Sequence, residues 1–254
     1  MLVSEPWEFG TLGIYDFRNE GPYRPVFQYL SETKDNLKGD ILEAGTFRGR
    51  MSLSIALWLR QEGVESTVHT FDTFSGFPSY SEKDSFEKFW ELRDKGLISN
   101  SHFERIQKLI LMKNALGIKQ PHPSNLSSSN DFSDNQFQNL EKKIELLQIS
   151  NLKVHVGPFN ETMRVDEVKQ NKWWLVFIDC DLYEGYLETL SATWENVVVG
   201  GMVFLDEYYS LKFPGAFMAV EEFRQSVLNA NLVKVDSTPS FPRWALIKIA
   251  SDEI

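Results

Sequence analysis

A chain of 254 residues has room for one large α/β domain or two small ones, and 42% hydrophobic residues, with 19 Phe and 7 Trp, suffice for a sizeable core. A formal net charge of −10 argues against nucleic acid as the main partner, because a phosphate backbone selects a basic face. The lone cysteine, Cys180, excludes an internal disulfide framework, and no apolar run approaches the roughly 18 residues of a membrane span. The N-terminus shows no basic stretch leading into an apolar one, so no signal peptide is expected and the composition fits a cytoplasmic protein.

In chain order, residues 1–21 carry Gly and Pro punctuation with several aromatics. Residues 23–37 have helical apolar spacing at Val26, Phe27 and Leu30. A short strand, Ile41-Leu-Glu-Ala44, leads into the turn Gly45-Thr-Phe-Arg-Gly49, then a helix over 50–61 with Gly63 as its stop. A second strand over 68–71 ends on Asp72. Strand, Gly-containing turn, helix, strand and acid form the first half of a nucleotide-binding α/β fold.

Residues 73–150 break the alternation. Amphipathic helices are predicted over 84–97 and 102–116, a mobile loop over 122–135 around Ser-Ser-Ser-Asn, and a charged helix over 137–147. The stretch is too long for a simple crossover. It reads either as a helical lid at about 79–150 over the sheet edge or as an insertion without function. No linker divides the chain, so a single domain over 1–254 is expected.

A third strand over 152–156 is followed by Gly157-Pro-Phe159. Next, the apolar run Trp174–Ile178 ends on Asp179 and Asp181. A helix over 183–194, a Gly200-Gly201 turn, the run Met202–Leu205 and the pair Asp206-Glu207 follow. Two short strands joined by a helix make a parallel, right-handed βαβ unit. Both acidic clusters therefore fall at the carboxyl edge of the sheet, where open α/β sheets bind ligands. A helix over 221–228 and alternating strands at 232–236 and 244–249, around Ser-Thr-Pro-Ser-Phe-Pro, suggest a closing hairpin with at least one antiparallel strand.

Two constellations carry chemistry. Glu43-x-Gly45-x-x-x-Gly49 lies at a strand-to-helix turn, where glycine admits a ligand to the backbone and the helix offers free N–H groups. Asp72 is placed to accept both hydroxyls of a ribose. The turn lacks the G-x-G-x-x-G of a pyrophosphate site, and Glu43 would repel one, which weakens a nicotinamide-dinucleotide oxidoreductase reading. S-adenosylmethionine, with its ribose, ammonium and sulfonium, suits these groups; an ordinary tight turn is the plain alternative. In the second constellation, Asp179, Asp206 and Glu207 offer three oxygen donors of the kind Mg²⁺ takes. Without a cation they would raise one another's pKa. Alternatively, Asp206-Glu207 is a solvated turn. Asp181 reads as a helix cap, and Cys180 as a small buried residue.

Four ordered stretches, Leu42-Glu-Ala-Gly-Thr-Phe-Arg-Gly49, Phe71-Asp-Thr-Phe-Ser-Gly-Phe-Pro78, Phe177-Ile-Asp-Cys-Asp-Leu-Tyr-Glu184 and Gly200-Gly-Met-Val-Phe-Leu-Asp-Glu-Tyr208, resemble the macrocin O-methyltransferase family. These TylF- and MycF-type enzymes methylate sugar hydroxyls of macrolide antibiotics and related compounds. The resemblance implies a Rossmann-like class I methyltransferase fold: a mostly parallel seven-stranded sheet with an antiparallel C-terminal hairpin and helices on both faces. It implies S-adenosylmethionine, with contacts at Glu43, Ala44, Gly45, Thr46, Gly49, Asp72, Thr73, Gly157, Phe159 and Asp179. It also implies Mg²⁺ on Asp179, Asp206 and Glu207, with Asp179 catalytic through the metal. The expected acceptor is a small hydroxylated molecule, a sugar with neighbouring hydroxyls first and a catechol-like phenol second. A non-catalytic S-adenosylmethionine-binding protein is the rival reading, and homo-oligomerisation is compatible with the family.

The chain departs from the family pattern in three places. Its acidic doublet is Asp206-Glu207 rather than Asp-Asp. Tyr183-Glu-Gly-Tyr186 replaces Y-E-S-T. No lid motif supplies the family's proposed base, a His; His122 is the one His in the predicted loop, and the base is otherwise unassigned. His69, His102 and His155 read as structural.

Overall fold

The computed structural model describes residues 3–36, 38–235 and 242–250. Two helices open the chain, α1 (Pro6–Leu12) and α2 (Arg24–Thr33). Then come β1 (Asp40–Ala44), α3 (Arg50–Glu62) and β2 (Val68–Asp72). The insertion holds a 3-10 turn at Glu82–Asp84, α4 (Lys88–Asp94), α5 (Asn100–Ala115), α6 (Pro123–Leu126) and α7 (Phe137–Leu147). Next are β3 (Leu152–Val156), α8 (Phe159–Thr162), α9 (Asp166–Gln170), β4 (Trp173–Ile178) and α10 (Tyr183–Thr193). The chain ends with β5 (Val197–Leu205), α11 (Pro214–Ser226), β6 (Ala230–Lys234) and β7 (Trp244–Lys248).

The strands form one seven-stranded sheet in the order β3-β2-β1-β4-β5-β7-β6. The first five are parallel, while β7 is antiparallel to both β5 and β6. The expected fold class is therefore observed. Sequence character follows sheet position. All six residues of β4 are buried, as for a central parallel strand covered on both faces. The outer strands β3 and β6 contain exposed positions.

The core lies in two layers, one on each face. Leu42, Val176, Ile178 and Leu205 pack against residues of α4, α5, α10 and α11. Ile41, Leu175, Phe177 and Phe204 pack against α1, α2, α3 and α7. The insertion thus starts on one face and ends on the other. The connecting residues pass the carboxyl ends of the strands: the Phe77 N–H donates to Asp131 O (3.1 Å), and Arg48 pairs with Asp134 at 2.6 Å. The segment predicted as a mobile loop contains the turn α6 and buries Leu126 and Asn135.

Three further details differ from the sequence expectation. Gly200-Gly201 is not a turn before the strand but a bulge inside β5, where the register with β4 jumps from Trp173–Val197 to Leu175–Met202. The helix expected at 221–228 starts at Pro214, whose fixed φ and missing N–H suit a first helical turn. Helix α1 has no strong apolar period and went unpredicted; Pro6 and a Glu5/Glu8 capping box start it. Leu37, Asp236 and the 237–241 part of the expected hairpin turn lie outside the described residues.

Candidate active site

The sheet order reverses between β1 and β4, and the crevice at that switch point holds the site. Gly45, at φ +91°, closes β1 so near the exit of β4 that a Cβ would stand 2.0 Å from Asp179 O. Only glycine lets these two turns meet. The Asp179 N–H donates to Ala44 O at 2.8 Å, extending the ladder to this point.

Three acids converge beside it. Glu43 is buried beneath the Gly45 turn, where its Oε2 accepts the Thr70 hydroxyl at 2.7 Å. Burial, with a smaller contribution from the charge of Asp72, pushes Glu43 up to about 8. Asp72 ties two turns together: its Oδ2 accepts the Phe47 N–H (2.8 Å) and its Oδ1 the Phe74 N–H (2.7 Å). Phe47 and Phe74 both take positive φ to reach it. Asp179 is raised to about 8 by burial, and then by the charges of Asp181, Glu207 and Glu43. Asp206 is likewise held well above the carboxylate range, by burial first and then by the charge of Asp179.

The acidic doublet after β5 meets cations of the chain itself. Arg243 Nη1 donates to Asp206 O at 2.7 Å and lies 2.9 Å from Asp206 Oδ1, close enough for an ion pair but without an aligned hydrogen bond to that oxygen. Lys212 Nζ lies 3.3 Å from Glu207 Oε1, while Glu207 Oε2 is buried without a partner. Burial and the Glu207 charge hold Asp181 well above the carboxylate range, and Lys212 opposes this. Arg243 thus offsets Asp206, and Lys212 offsets Glu207 and Asp181. Among the described residues, no group of three or more His, Cys, Asp or Glu side chains is gathered to hold a metal ion.

One cavity of about 960 Å³ joins these groups. Of the residues picked from the sequence, Glu43, Gly45, Thr46, Asp72, Thr73, Phe159, Asp179, Asp206 and Glu207 line it. Ala44 instead packs in the core, Gly49 starts α3 against Leu140, and the Gly157 N–H donates to Asp72 O. His122 stands apart, lining a second, open cavity of about 1100 Å³ with Tyr80. Its Nδ1 accepts the Ser124 N–H, so it serves as the cap of α6.

Sequence reading missed Tyr23, Phe132 and Lys212, which line the main cavity, and Arg243, which braces it. The Tyr23 ring has the guanidinium groups of Arg50 and Arg243 each 5.6 Å from its centroid. Phe132 packs edge-on against Phe47 and Phe77. These residues come from the N-terminal helices, the insertion and the segments flanking β5 and β7. Their placement is tertiary, and no local pattern marks them.

The family model described as macrocin-O-methyltransferase (TylF) matches residues 119–244. Over these residues the chain is similar to the macrocin O-methyltransferase family. That match and the fold shared with solved O-methyltransferases support an S-adenosylmethionine-dependent O-methyltransferase. Solved structures agree on the fold. The O-methyltransferase NovP superposes with a TM-score of 0.64 at 19% identity, covering 91% of this chain and 81% of NovP. The calicheamicin methyltransferase CalS11 gives 0.55 at 19%, covering 97% of this chain and 94% of its own. TomG from Streptomyces achromogenes, solved with S-adenosylmethionine, gives 0.54 at 11%, covering 98% and 93%. A comparison with curated protein sequences gives no match. Among the described residues, no helix is long and apolar enough to cross a membrane.

Proposed function

We propose that this O-methyltransferase acts on a sugar hydroxyl of a natural product or glycan. The observation that carries the reading is the single cavity, which Glu43, Gly45, Thr46 and Asp72 line on one side and Asp179, Asp206 and Glu207 on the other. The family's sugar-directed chemistry supports the acceptor class. Glu43 would face the ammonium of the methyl donor and Asp72 its ribose. The donor supplies a methyl group activated by a sulfonium. The protein orients the acceptor oxygen in line with that methyl and takes its proton. Asp179 in its ionised form suits that proton transfer, because its raised basicity makes it a stronger acceptor than an ordinary carboxylate. As the O–C bond forms, the C–S bond breaks and its electrons return to sulfur.

Mg²⁺ belongs to the same proposal. Oxygen donors at Asp179, Asp206 and Glu207 suit it, and the unpartnered Glu207 Oε2 leaves a buried lone pair for it. It would acidify a coordinated hydroxyl. The side chains are not gathered around a metal as they stand, so no step above depends on one. Arg243 and Lys212 favour a second reading, a metal-independent transferase in which these cations offset the acids. A cytoplasmic location and self-association complete the proposal; the first suits the composition, and exposed Leu111, Met112 and Leu116 suit the second.

Calorimetric titration with S-adenosylmethionine and S-adenosylhomocysteine, with and without Mg²⁺, tests both halves. Both ligands should bind, and sugars with neighbouring hydroxyls should then gain one methyl mass. Absence of binding by either ligand would falsify the reading. Turnover that is unchanged by a chelator would select the metal-independent form.

A further inference from the structure

The two acidic clusters lie where β4 and β5 separate, and one side chain holds both ends. Tyr186, in the first turn of α10, is 0% exposed. Its hydroxyl donates to Ile178 O at 3.2 Å and accepts the Glu207 N–H at 2.9 Å. Ile178 immediately precedes Asp179, and Glu207 immediately follows Asp206. The last backbone bond between these strand ends is Asp206 N–H to Ile178 O, at 3.0 Å. One residue farther, the Glu207 N–H would be buried and unsatisfied were it not for Tyr186, at a cost comparable to a lost hydrogen bond.

The geometry of α10 is set to deliver this hydroxyl. Asp181, at φ +62°, reverses the chain after β4 so that α10 returns beneath the crevice. A Cβ on Gly185 would stand 2.9 Å from Cys180 Sγ, so the helix approaches that turn more closely than a larger residue would permit. Gly185, Tyr186 and Glu207 are positions at which the chain departs from the family pattern; in the fold Gly185 packs on Cys180 and the neighbouring Tyr186 meets Glu207.

We propose that Tyr186 is a positioning residue whose hydroxyl staples the ends of β4 and β5 and fixes the direction in which Glu207 enters the cavity. This rests on reading the cavity as the O-methyltransferase site. Tyr186 touches the main chain of Ile178 and Glu207 and is not among the residues that line the cavity. Its influence should therefore fall on the acceptor half, leaving the Gly45–Asp72 half intact.

Amide exchange on the wild-type chain should find the Glu207 N–H protected like those of β5, although it lies beyond the strand. Tyr186→Phe keeps the ring and removes the hydroxyl. It should speed Glu207 exchange by about tenfold or more and leave β1 and β2 amides unchanged. S-adenosylmethionine affinity should stay within about twofold, while kcat on an acceptor that the wild type methylates falls by about tenfold. In a double-mutant cycle, Glu207→Asp should cost several-fold less in the Tyr186→Phe background than in the wild type, because the direction it relies on is already lost. Unprotected Glu207 in the wild type, unchanged exchange in the variant, or costs that simply multiply would each overturn the inference. If no acceptor is methylated at all, the transferase reading fails, and the exchange data still decide the role of Tyr186.

Discussion

Glu43 and Asp179 are raised into the neutral range because Glu43 is buried, Asp179 is half-buried at the cavity wall, and further acids stand near. A cation arriving beside Glu43 would reverse this by stabilising the ionised form. If Glu43 faces the ammonium of the methyl donor, binding near neutral pH releases a proton, and affinity rises with pH until Glu43 is ionised, at about 8. Glu43→Gln keeps an acceptor for Thr70 and removes the titration. Its affinity for S-adenosylmethionine should be weaker than wild type by about tenfold and flat with pH. Calorimetry in buffers of different ionisation enthalpy measures the released proton directly. Equal pH slopes in the two proteins would move the ammonium elsewhere.

Helix α10 depends on a cap from outside its own sequence. Leu182, its N-cap, provides no side-chain bond, but Asp84 Oδ1 from the insertion accepts the Tyr183 N–H at 2.7 Å. Asp84 is 2% exposed, and its Oδ2 accepts the Ser81 N–H at 2.9 Å. Its neighbour Lys83 donates to the Tyr183 hydroxyl at 2.6 Å and to Glu222 at 2.7 Å. The 3-10 turn at the start of the insertion thus grips both ends of Tyr183 and fixes where the helix after the acidic cluster begins. Asp84→Ala leaves the Tyr183 N–H without its partner and should lower unfolding free energy by about 1–3 kcal/mol. Asp84→Asn, which can still accept at Oδ1, should recover most of that in urea titrations. Identical losses in the two variants would show that the bond contributes nothing.

Across the whole molecule, buried acids with raised pKa values make stability depend on pH in an unusual direction. Folded Glu43 and Asp179 both titrate at about 8, from ordinary values of 4.5 and 3.8. Between those limits the native state binds more protons than the unfolded one, so stability falls as pH rises and levels off above the folded pKa. Asp40 acts oppositely. Hydrogen bonds from His69, Thr67 and Asn171 lower it despite burial, so its contribution is lost only in acid. The ligand-free protein should therefore melt at a lower temperature at about pH 8.5 than at about pH 6, and S-adenosylmethionine should narrow the gap. A higher melting temperature at the alkaline end would contradict the burial of these groups.

The sheet and the acidic edge were legible because both rest on local patterns. Apolar runs ending in Glu43, Asp72, Asp179 and Asp206 mark parallel strands, and parallel strands must place their final residues at one edge. Other features had no such mark. The Gly200-Gly201 pair reads as a turn in isolation, and only pairing with β4 turns it into a bulge. Residues 122–135 look mobile from their polar composition, yet contacts with Gly76, Phe77 and Arg48 seat the later part of the segment. The partners of the acids, Arg243, Lys212 and the Tyr186 hydroxyl, come from separate elements. The sequence by itself determined which carboxylates gather, because strand direction follows from hydrophobic period and connection length. Only the tertiary structure decided how their charge is met, because burial and the approach of distant side chains are properties of packing.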